Sequence, residues 1–476
     1  MLSPTICITS VWMMNSPVVR IVSECFVKPS GQAQESDRIC HLTPWDIAML
    51  SLHHIQKGLL FQKPKTLVDQ HLFIQSLLEK LKHSLSVALF HFYPLSGRLV
   101  THKTEDPSSY TIFVDCSNSR GARFIHATLD MTISDILSPV DVPPIVNSFF
   151  DLDKAVNHDG HIMPLLSIKV TELVDGVFIG CTMNHNIADG TSYWNFLNAW
   201  SEIFQAQAEG NEHDVPISCH PIHNRWFPDG CGPLINLPFK HHDEFIRRFE
   251  PPILRGRIFH FSAESIAKLK ARANSESKTA KISSLQSLSA HVWRCVTRAR
   301  QTAHGERTSC KLAINNRSRM EPPLPAEYFG SAVSVVSAES TVGELLENDL
   351  GWAAWKVHVA VANYNDRVVR DMVKEWLQHP VIYQHGMLVD SSCVMISSSP
   401  RFNVYGNEFG MGKAVAVLSG YANKFDGDVI AHPGREGGGS IDFEVSLSPD
   451  VMCALESNQE FMEAVSVPNL LHNPVR

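Results

Sequence analysis

The 476-residue sequence lacks the features that mark several large classes of protein. Its 41 lysines and arginines are outnumbered by 49 acidic residues, for a net charge of −8, whereas a nucleic-acid-binding protein needs a basic face for phosphate contacts. It also has no unbroken apolar run near the length of about 20 residues that crosses a membrane. The sequence therefore predicts a protein with no nucleic-acid partner and no membrane partner.

The cysteines and histidines lack the spacings of redox and metal sites. The 11 cysteines are scattered and never spaced Cys-x-x-Cys, which favours a reducing compartment, so we expect a cytoplasmic protein. Among the 24 histidines, the pairs His53-His54 and His241-His242 have no partners at zinc-ligand spacing such as His-x-x-x-His. We expect no metal site and no resident cofactor.

Familiar catalytic loops are missing as well. Residues 405–414, YGNEFGMGKA, differ from a P-loop because five residues separate Gly406 from Gly412 and because Ala414 replaces the Ser or Thr that holds magnesium. Glycines 437–439 precede no helix signal, and Gly-x-Ser-x-Gly does not occur. The sequence therefore offers no serine nucleophile for a covalent intermediate.

The length and the local composition of the chain predict two domains that each contain both helices and strands. A stretch rich in polar residues, Pro and Gly divides the chain near its middle. We predict an N-terminal extension at 1–17, an N-terminal domain at 18–205, a crossover linker at 206–251 and a C-terminal domain at 252–476. Two such α/β (α+β) halves facing each other would place a site in the cleft between them.

One histidine stands where a predicted strand meets a predicted helix. Two apolar runs joined by Asp175-Gly176 favour a hairpin whose second strand ends just before His185. From Gly190 onward, apolar residues recur at three- and four-residue spacing, which is typical of an amphipathic helix. His185 thus lies in a short loop with Asp189 four residues on, either as a base or as a hydrogen-bonded histidine at a strand end.

Four separated segments resemble one protein family. They are FYPLSGRL (92–99), HNIADG (185–190), INNRSRMEPPLPAEYFG (314–330) and RFNVYGNEFGMGK (401–413). Their order and spacing are similar to those of the plant BAHD acyltransferases, whose markers are HxxxDG and DFGWG. The resemblance covers the chain from about residue 18 onward, and together the segments are far more specific than any one of them.

The resemblance implies two chloramphenicol-acetyltransferase-like domains with a solvent channel between them. It implies a monomeric acyltransferase that moves an acyl group from acyl-coenzyme A, a cosubstrate, to a hydroxyl or amine of a plant small molecule. His185 would be the general base, with no covalent acyl-enzyme. A neutral imidazole with an ordinary pKa of about 6.5 suits that role at cytosolic pH.

The resemblance also implies roles for three serines. Ser397 falls where a hydroxyl can face the thioester oxygen as an oxyanion donor, although an ordinary strand serine would look the same. Ser283 and Ser284 fall where the family contacts the pantetheine arm of coenzyme A. A simple helix N-cap is the alternative for these two residues.

Other implied residues support the loop instead of reacting. Asp189, followed by Gly190, would face away from His185 and pair with an arginine of the second domain. Arg317 is the first candidate for this arginine and Arg319 the second. Breaking such a buried pair typically costs about 3 to 5 kcal/mol.

The second family marker is altered in this chain. EFGMG has Glu408 for Asp and Met411 for Trp, and it keeps the glycines Gly410 and Gly412. Glu408 could retain an ion pair with shifted geometry, whereas Met411 replaces a rigid ring with a flexible thioether and should loosen the loop. In the family this loop is mainly structural.

Two other functions remain open at this stage. A binding protein without catalytic activity would fit an altered EFGMG loop that no longer supports coenzyme A binding. A lyase on the same scaffold would carry out an intramolecular reaction and would turn over without coenzyme A.

Overall fold

The computed structural model describes residues 17–31, 38–64, 69–106, 108–208, 210 and 217–467. In chain order, strands β1 to β15 are Arg20–Val27, Ile39–His41, Ile55–Gln62, Arg98–Glu105, Ser108–Asp115, Ala122–Thr128, Leu166–Glu172, Gly176–Met183, Arg255–Phe261, Arg307–Asn315, Val333–Thr341, Cys393–Ser398, Ala416–Ser419, Asp428–Pro433 and Ile441–Leu447. Helices α1 to α12 are Pro44–Ile47, Gln70–His91, Ile133–Leu137, Gly190–Ala208, Ala263–Glu276, Ser284–Arg300, Val342–Glu347, Leu350–Ala362, Asp366–Gln378, His385–Leu388, Pro449–Glu456 and Gln459–Ala464. The expected mixture of helices and strands is confirmed.

The first sheet carries the predicted hairpin and the strand that leads to His185. Its six strands have the order β1-β6-β7-β8-β3-β13. β7 and β8 pair antiparallel, and every residue of β8 is buried, as a continuous apolar run predicts. Helices α2 and α4 pack against each other, and the buried rings of Trp194 and Trp200 on α4 share one core with the apolar side chains of β8. A small sheet, ordered β2-β5-β4, adjoins this core.

The second sheet has two chemically different faces. Its six strands have the order β11-β10-β12-β14-β15-β9. One face contributes apolar residues of β14 and β15 to the core shared with α5, α6 and α8, namely Val429, Ala431, Phe443 and Val445. Because side chains alternate along a strand, the intervening residues point to the other face, namely Asp428, Ile430, His432, Asp442, Glu444 and Ser446. Ile258, opposite Glu444 on that face, packs against the first sheet, so this polar face is turned toward the first domain.

A strand from the second half of the chain completes the first sheet. β13 pairs antiparallel with β3, with Val417 opposite Leu59. Just before β13, Phe409 inserts its ring into the core beneath the first sheet. The domain bounds 18–205 and 252–476 stay predictions, and residues 409–419 of the second half contribute to the first core and sheet.

The parts of the chain expected to be irregular are described only in part. Of the predicted extension 1–17, only residue 17 is among the described residues, and α4 extends to Ala208, inside the predicted linker. Residues 217–254 are irregular apart from one short 3₁₀ turn, His242–Glu244. Within the described ranges, no helix combines the length and the apolar character that crossing a membrane requires. The ten cysteines in those ranges are all free.

Phe409 should be the main anchor of the EFGMG loop. Its side chain is fully buried, and its ring lies 4.7 Å from the Trp200 ring and 5.8 Å from the Phe204 ring, between ring centres. Phe409→Ala should therefore lower the free energy of unfolding by about 3 to 5 kcal/mol in urea titrations. Met411→Ala, at a partly buried position of the same loop, is the control and should cost less. An equal or smaller loss for Phe409→Ala would contradict this assignment.

Candidate active site

Buried asparagines hold the loop between β8 and α4. The backbone amide of His185 donates to Oδ1 of Asn157 at 2.8 Å, and Nδ2 of Asn184 donates to the Asn157 carbonyl at 2.7 Å. The amide of Asn186 donates to Oδ1 of Asn184 at 3.0 Å. Nδ2 of Asn157 donates in turn to the Met49 carbonyl at 2.8 Å, so the network also reaches the segment after α1. These uncharged amides fix the backbone on both sides of His185.

Asp189 forms an ion pair with Arg317, a residue of the second half of the chain. Nη1 of Arg317 lies 2.6 Å from Oδ2 of Asp189 and Nη2 lies 3.1 Å from Oδ1, and both side chains are 3% exposed. The amide of Ala332 also donates to Asp189 at 3.0 Å. Burial alone would raise the pKa of Asp189, but the Arg317 guanidinium and these hydrogen bonds hold that pKa below its ordinary value. Arg319, the second candidate, donates instead to the carbonyls of Val361 and Tyr364.

Arg317 joins the second domain to the start of α4. Besides binding Asp189, its Nη2 donates to the carbonyls of Tyr328 and Gly330, at 2.9 and 3.0 Å, and to the Ser192 hydroxyl at 3.0 Å. A Cβ built on Gly190 would lie 3.5 Å from the Phe402 ring, so the segment after β12 also contacts the first turn of α4. The candidate loop therefore lies where both halves of the chain meet.

A second buried ion pair supports the loop from its other side, and sequence analysis missed it. Nη1 of Arg225 lies 3.3 Å from the carboxylate of Asp46, and the two side chains are 4% and 0% exposed. Nη2 of Arg225 donates to the Ile187 carbonyl at 3.2 Å, and Nδ2 of Asn186 donates to the Asp46 carbonyl at 2.9 Å. The amide of Ser331 donates to Asp46 at 2.9 Å. Arg225 lies in the predicted linker, which is thus part of the site's support.

The His185 ring is partly buried and has one accessible nitrogen. Its Nδ1 is buried without a hydrogen-bond partner among the described residues, Nε2 is not fully buried, and the backbone carbonyls of His185 itself and of Ala188 lie near the ring. Burial lowers the pKa of His185 despite these carbonyls and the more distant carboxylates of Asp189 and Asp46, which raise it. A proton on Nδ1 would leave Nε2 as a neutral base.

Three serines with predicted roles lie in the second half of the chain, namely Ser283, Ser284 and Ser397. Ser397 is partly buried on β12, opposite Ile430 of β14, and therefore on the polar face of the second sheet. Ser283 is an N-cap of α6, since its Oγ accepts from the Gln286 amide at 3.3 Å, while Ser284 is the first residue of that helix. Contacts of Ser397 with a thioester, and of Ser283 and Ser284 with pantetheine, stay predictions.

The EFGMG loop packs on α4. Gly410 and Gly412 have φ angles of +71° and +74°, in the left-handed region that favours glycine. The amide of Glu408 donates to the Ser201 hydroxyl at 3.2 Å, but its side chain is exposed and forms no ion pair with any described residue. The ion pair that the sequence left open for Glu408 is therefore absent from this part of the structure.

One exposed group of metal-ligand type occurs among the described residues. Ligand atoms of His241, His242 and Asp243 lie within 4.8 Å of one another. Asp243, the next residue in the chain, is therefore a candidate ligand that the spacing of histidines alone does not indicate. The side chains are 54%, 42% and 78% exposed, and the expectation of no metal site stays a prediction.

The sequence is similar to those of known plant proteins. A family described as the Transferase family matches residues 18–462. An uncharacterized acetyltransferase of Arabidopsis thaliana is 35% identical over 453 residues, covering 94% of this chain and 99% of that protein. The BAHD acyltransferase DCR of the same plant is 31% identical, with coverage of 93% and 92%.

The fold is similar to those of solved structures. Vinorine synthase has a TM-score of 0.70 and 23% identity, covering 94% of this chain and 98% of that one. A Fusarium sporotrichioides protein complexed with coenzyme A and T-2 has a TM-score of 0.68 and 16% identity, with coverage of 90% and 99%. At these identities the likeness shows the fold alone.

The ion pair of Asp189 and Arg317 should behave as one unit. Asp189→Ala and Arg317→Ala should each lower the free energy of unfolding by about 3 to 5 kcal/mol, because each leaves a buried charge without its partner. The double variant should be no less stable than either single variant. Arg319→Ala is the control, since its contacts lie within the second half, and its loss should add to that of Asp189→Ala. The free energies of unfolding would be measured by denaturant titration. If the loss in the double variant equals the sum of the two single losses, Asp189 and Arg317 do not interact.

Proposed function

The chain belongs to the plant BAHD acyltransferase family, and from that premise we propose that it moves an acyl group from acyl-coenzyme A to a hydroxyl or amine of a small molecule. The observation that carries the proposal is the place of His185, a partly buried histidine whose pKa is lowered by burial, on a loop fixed from several sides. The coenzyme A bound to the similarly folded Fusarium protein supports the choice of donor.

In the proposed reaction, Nε2 of His185 takes the proton of the acceptor while the acceptor oxygen or nitrogen attacks the thioester carbonyl carbon. The carbon–sulfur bond then breaks, coenzyme A leaves as a thiolate, and the proton held by His185 returns to that sulfur. General base catalysis of this kind is worth about 10² to 10⁴ in rate. No acyl-enzyme forms, because the acceptor attacks the thioester directly.

The remaining residues position the reactants. The Ser397 hydroxyl would donate to the oxygen that becomes negative during attack, because it lies on the polar face turned toward the first domain. Ser283 and Ser284 stand at the start of a 17-residue helix, whose N-terminus suits the polar pantetheine arm and the phosphates of coenzyme A. Two buried ion pairs keep the base in place, which favours reaction because a misplaced base loses rate steeply.

Features of the altered loop favour an enzyme over an inactive binding protein. Phe409 is buried in the first core, and Met411 packs against that core, so EFGMG keeps a defined place without the family's Trp.

The free state of the described cysteines supports action in the cytoplasm, and we propose that the chain acts as a monomer. Incubation with an acyl-coenzyme A panel and plant metabolite extract, read by mass spectrometry, would identify the donor and acceptor.

Loss of the base should abolish most activity without unfolding the protein. We expect His185→Ala to lower kcat by at least about 10²-fold with the melting temperature nearly unchanged. His102→Ala is the matched control, because His102 also precedes an aspartate by four positions but is exposed on β4. Release of free coenzyme A thiol measures the rate. Near-full activity of His185→Ala would rule out the general-base role.

The pH profile should report the lowered pKa of His185. The base acts when it is unprotonated, so kcat/KM should be constant at neutral pH and fall as pH drops through the pKa of His185. Because burial lowers that pKa, the midpoint should lie below the ordinary value of about 6.5. The fall should vanish in His185→Ala. A midpoint above the ordinary value would contradict the buried neutral base.

A further inference from the structure

A buried lysine lies at the boundary of the two sheets without a hydrogen-bond partner among the described residues. Lys57 is on β3, 8% exposed, and its charge is influenced by Glu444, Asp428 and Lys424 of the second half. Lys424 is already engaged, since its Nζ lies 2.8 Å from Oε1 of Glu444. Lys57 is therefore the cation of this group whose donors remain unused.

Four further buried side chains around Lys57 have unused polar atoms. Both ring nitrogens of His432, Oε2 of Glu444 and the hydroxyls of Ser446 and Ser419 form no hydrogen bond with the described residues. Nε2 of His432 and Oε2 of Glu444 face each other at 3.9 Å, which is too long for a hydrogen bond. Ser419 stands opposite Lys57 in the β3–β13 register. A buried polar atom left unpaired is costly, so these atoms favour a partner from outside the chain, either water or a ligand.

The charges of the group leave one cation without a paired carboxylate. Burial lowers the pKa of Lys57 to about 8, so its amine is mostly ammonium at neutral pH. Burial, opposed by Lys424, raises the pKa of Asp428 to about 7, so this carboxyl is only partly ionised there. The pKa of Glu444 is lowered, since Lys424 and His432 outweigh its burial. Of the carboxylates on this face, Glu444 is paired with Lys424 and Asp442 with His260, so the Lys57 ammonium is left without a paired carboxylate among the described residues, which favours an anionic ligand group there.

The group lies on the same face of the second sheet as Ser397. In the strand registers, Ser397 stands opposite Ile430, and Ile430 stands opposite Glu444. Two strand spacings of about 4.8 Å therefore separate Ser397 from Glu444, or roughly 10 Å across the sheet. Under the proposed function the thioester carbonyl lies at Ser397, so a group that reaches Lys57 belongs to a part of a substrate remote from the reacting atoms.

We propose that Lys57, together with His432 and Ser419, forms a buried subsite for a carboxylate carried by one of the two substrates. The carboxylate would accept hydrogen bonds from the Lys57 ammonium, which has no acceptor among the described residues, and from the His432 imidazole and the Ser419 hydroxyl, whose buried atoms are unpaired there. The inference rests on the proposed function, and the source is either the far end of the acyl chain or the acceptor.

The donor arm of the test compares matched acyl-coenzyme A pairs. Titration calorimetry would measure the binding of succinyl-, glutaryl- and adipoyl-coenzyme A against butyryl-, pentanoyl- and hexanoyl-coenzyme A. The acceptor arm, without coenzyme A, would compare hydroxycarboxylates such as shikimate with their methyl esters by thermal shift. We expect a preference for the carboxylate in one arm, and a loss of about tenfold or more in that affinity for Lys57→Met.

Lys63→Met is the matched control. Lys63 is also buried at the end of β3, but its Nζ is paired with Glu172 at 2.8 Å and donates to the Val174 carbonyl. This variant should lose stability and keep the carboxylate preference, whereas Lys57→Met should keep the melting temperature. If Lys57→Met does not fold, Lys57→Gln, which retains a donor without the charge, takes its place and should likewise lose the preference.

Two outcomes would overturn the subsite. One is equal binding of carboxylates and their uncharged counterparts in both arms by the unaltered protein, and the other is a preference that survives in Lys57→Met. Failure of the proposed function would look different, because unacylated coenzyme A would not bind the unaltered protein. A preference in the donor arm assigns the carboxylate to the acyl chain, and a preference in the acceptor arm assigns it to the acceptor.

Discussion

The bidentate ion pair between Asp189 and Arg317 is the constraint on which the arrangement of the site depends. It removes two charges from water, a cost that such pairs offset only with good geometry and further hydrogen bonds. Both conditions hold here, since the carboxylate also accepts from the Ala332 amide and the guanidinium also donates to carbonyls of its own domain. The pair thus fixes the end of the His185 loop and the position of the second domain at once.

The boundary between the two halves combines specific polar contacts with a shared apolar core. The second sheet keeps its apolar face for its own helices and turns a polar face toward the first domain. Cohesion comes from the two ion pairs that support the loop, from β13, whose backbone completes the first sheet, and from apolar side chains of the second half in the first core, such as Phe329 and Phe409. Because ion pairs and backbone hydrogen bonds help to stabilise this boundary, it can also include polar side chains that contact substrates.

Sequence reasoning predicted the parts of the site that depend on local patterns. The hairpin and the amphipathic helix located His185, since both follow from residue spacing along a few turns or strands. Arg317 was named only through a family resemblance, because no local period joins it to Asp189. Arg225 and Asp46 were missed for the same reason, since Arg225 lies in an irregular stretch and the two residues are 179 positions apart. The place of β13 in the first sheet could not be predicted either, because its pairing with β3 depends on contacts more than 350 positions apart.

The choice of side chains around His185 follows from what a base requires. A carboxylate bonded to the imidazole would hold it in place, but it would also raise the pKa and make the ring a weaker acid when the proton must be given up. In this protein the loop is held by Asn157, Asn184 and Asn186, which are polar but uncharged. The carboxylate of Asp189 is paired with Arg317, and its remaining effect on the pKa of His185 is outweighed by burial. Burial therefore lowers the pKa of His185 while hydrogen bonds of uncharged amides keep the backbone of its loop in place.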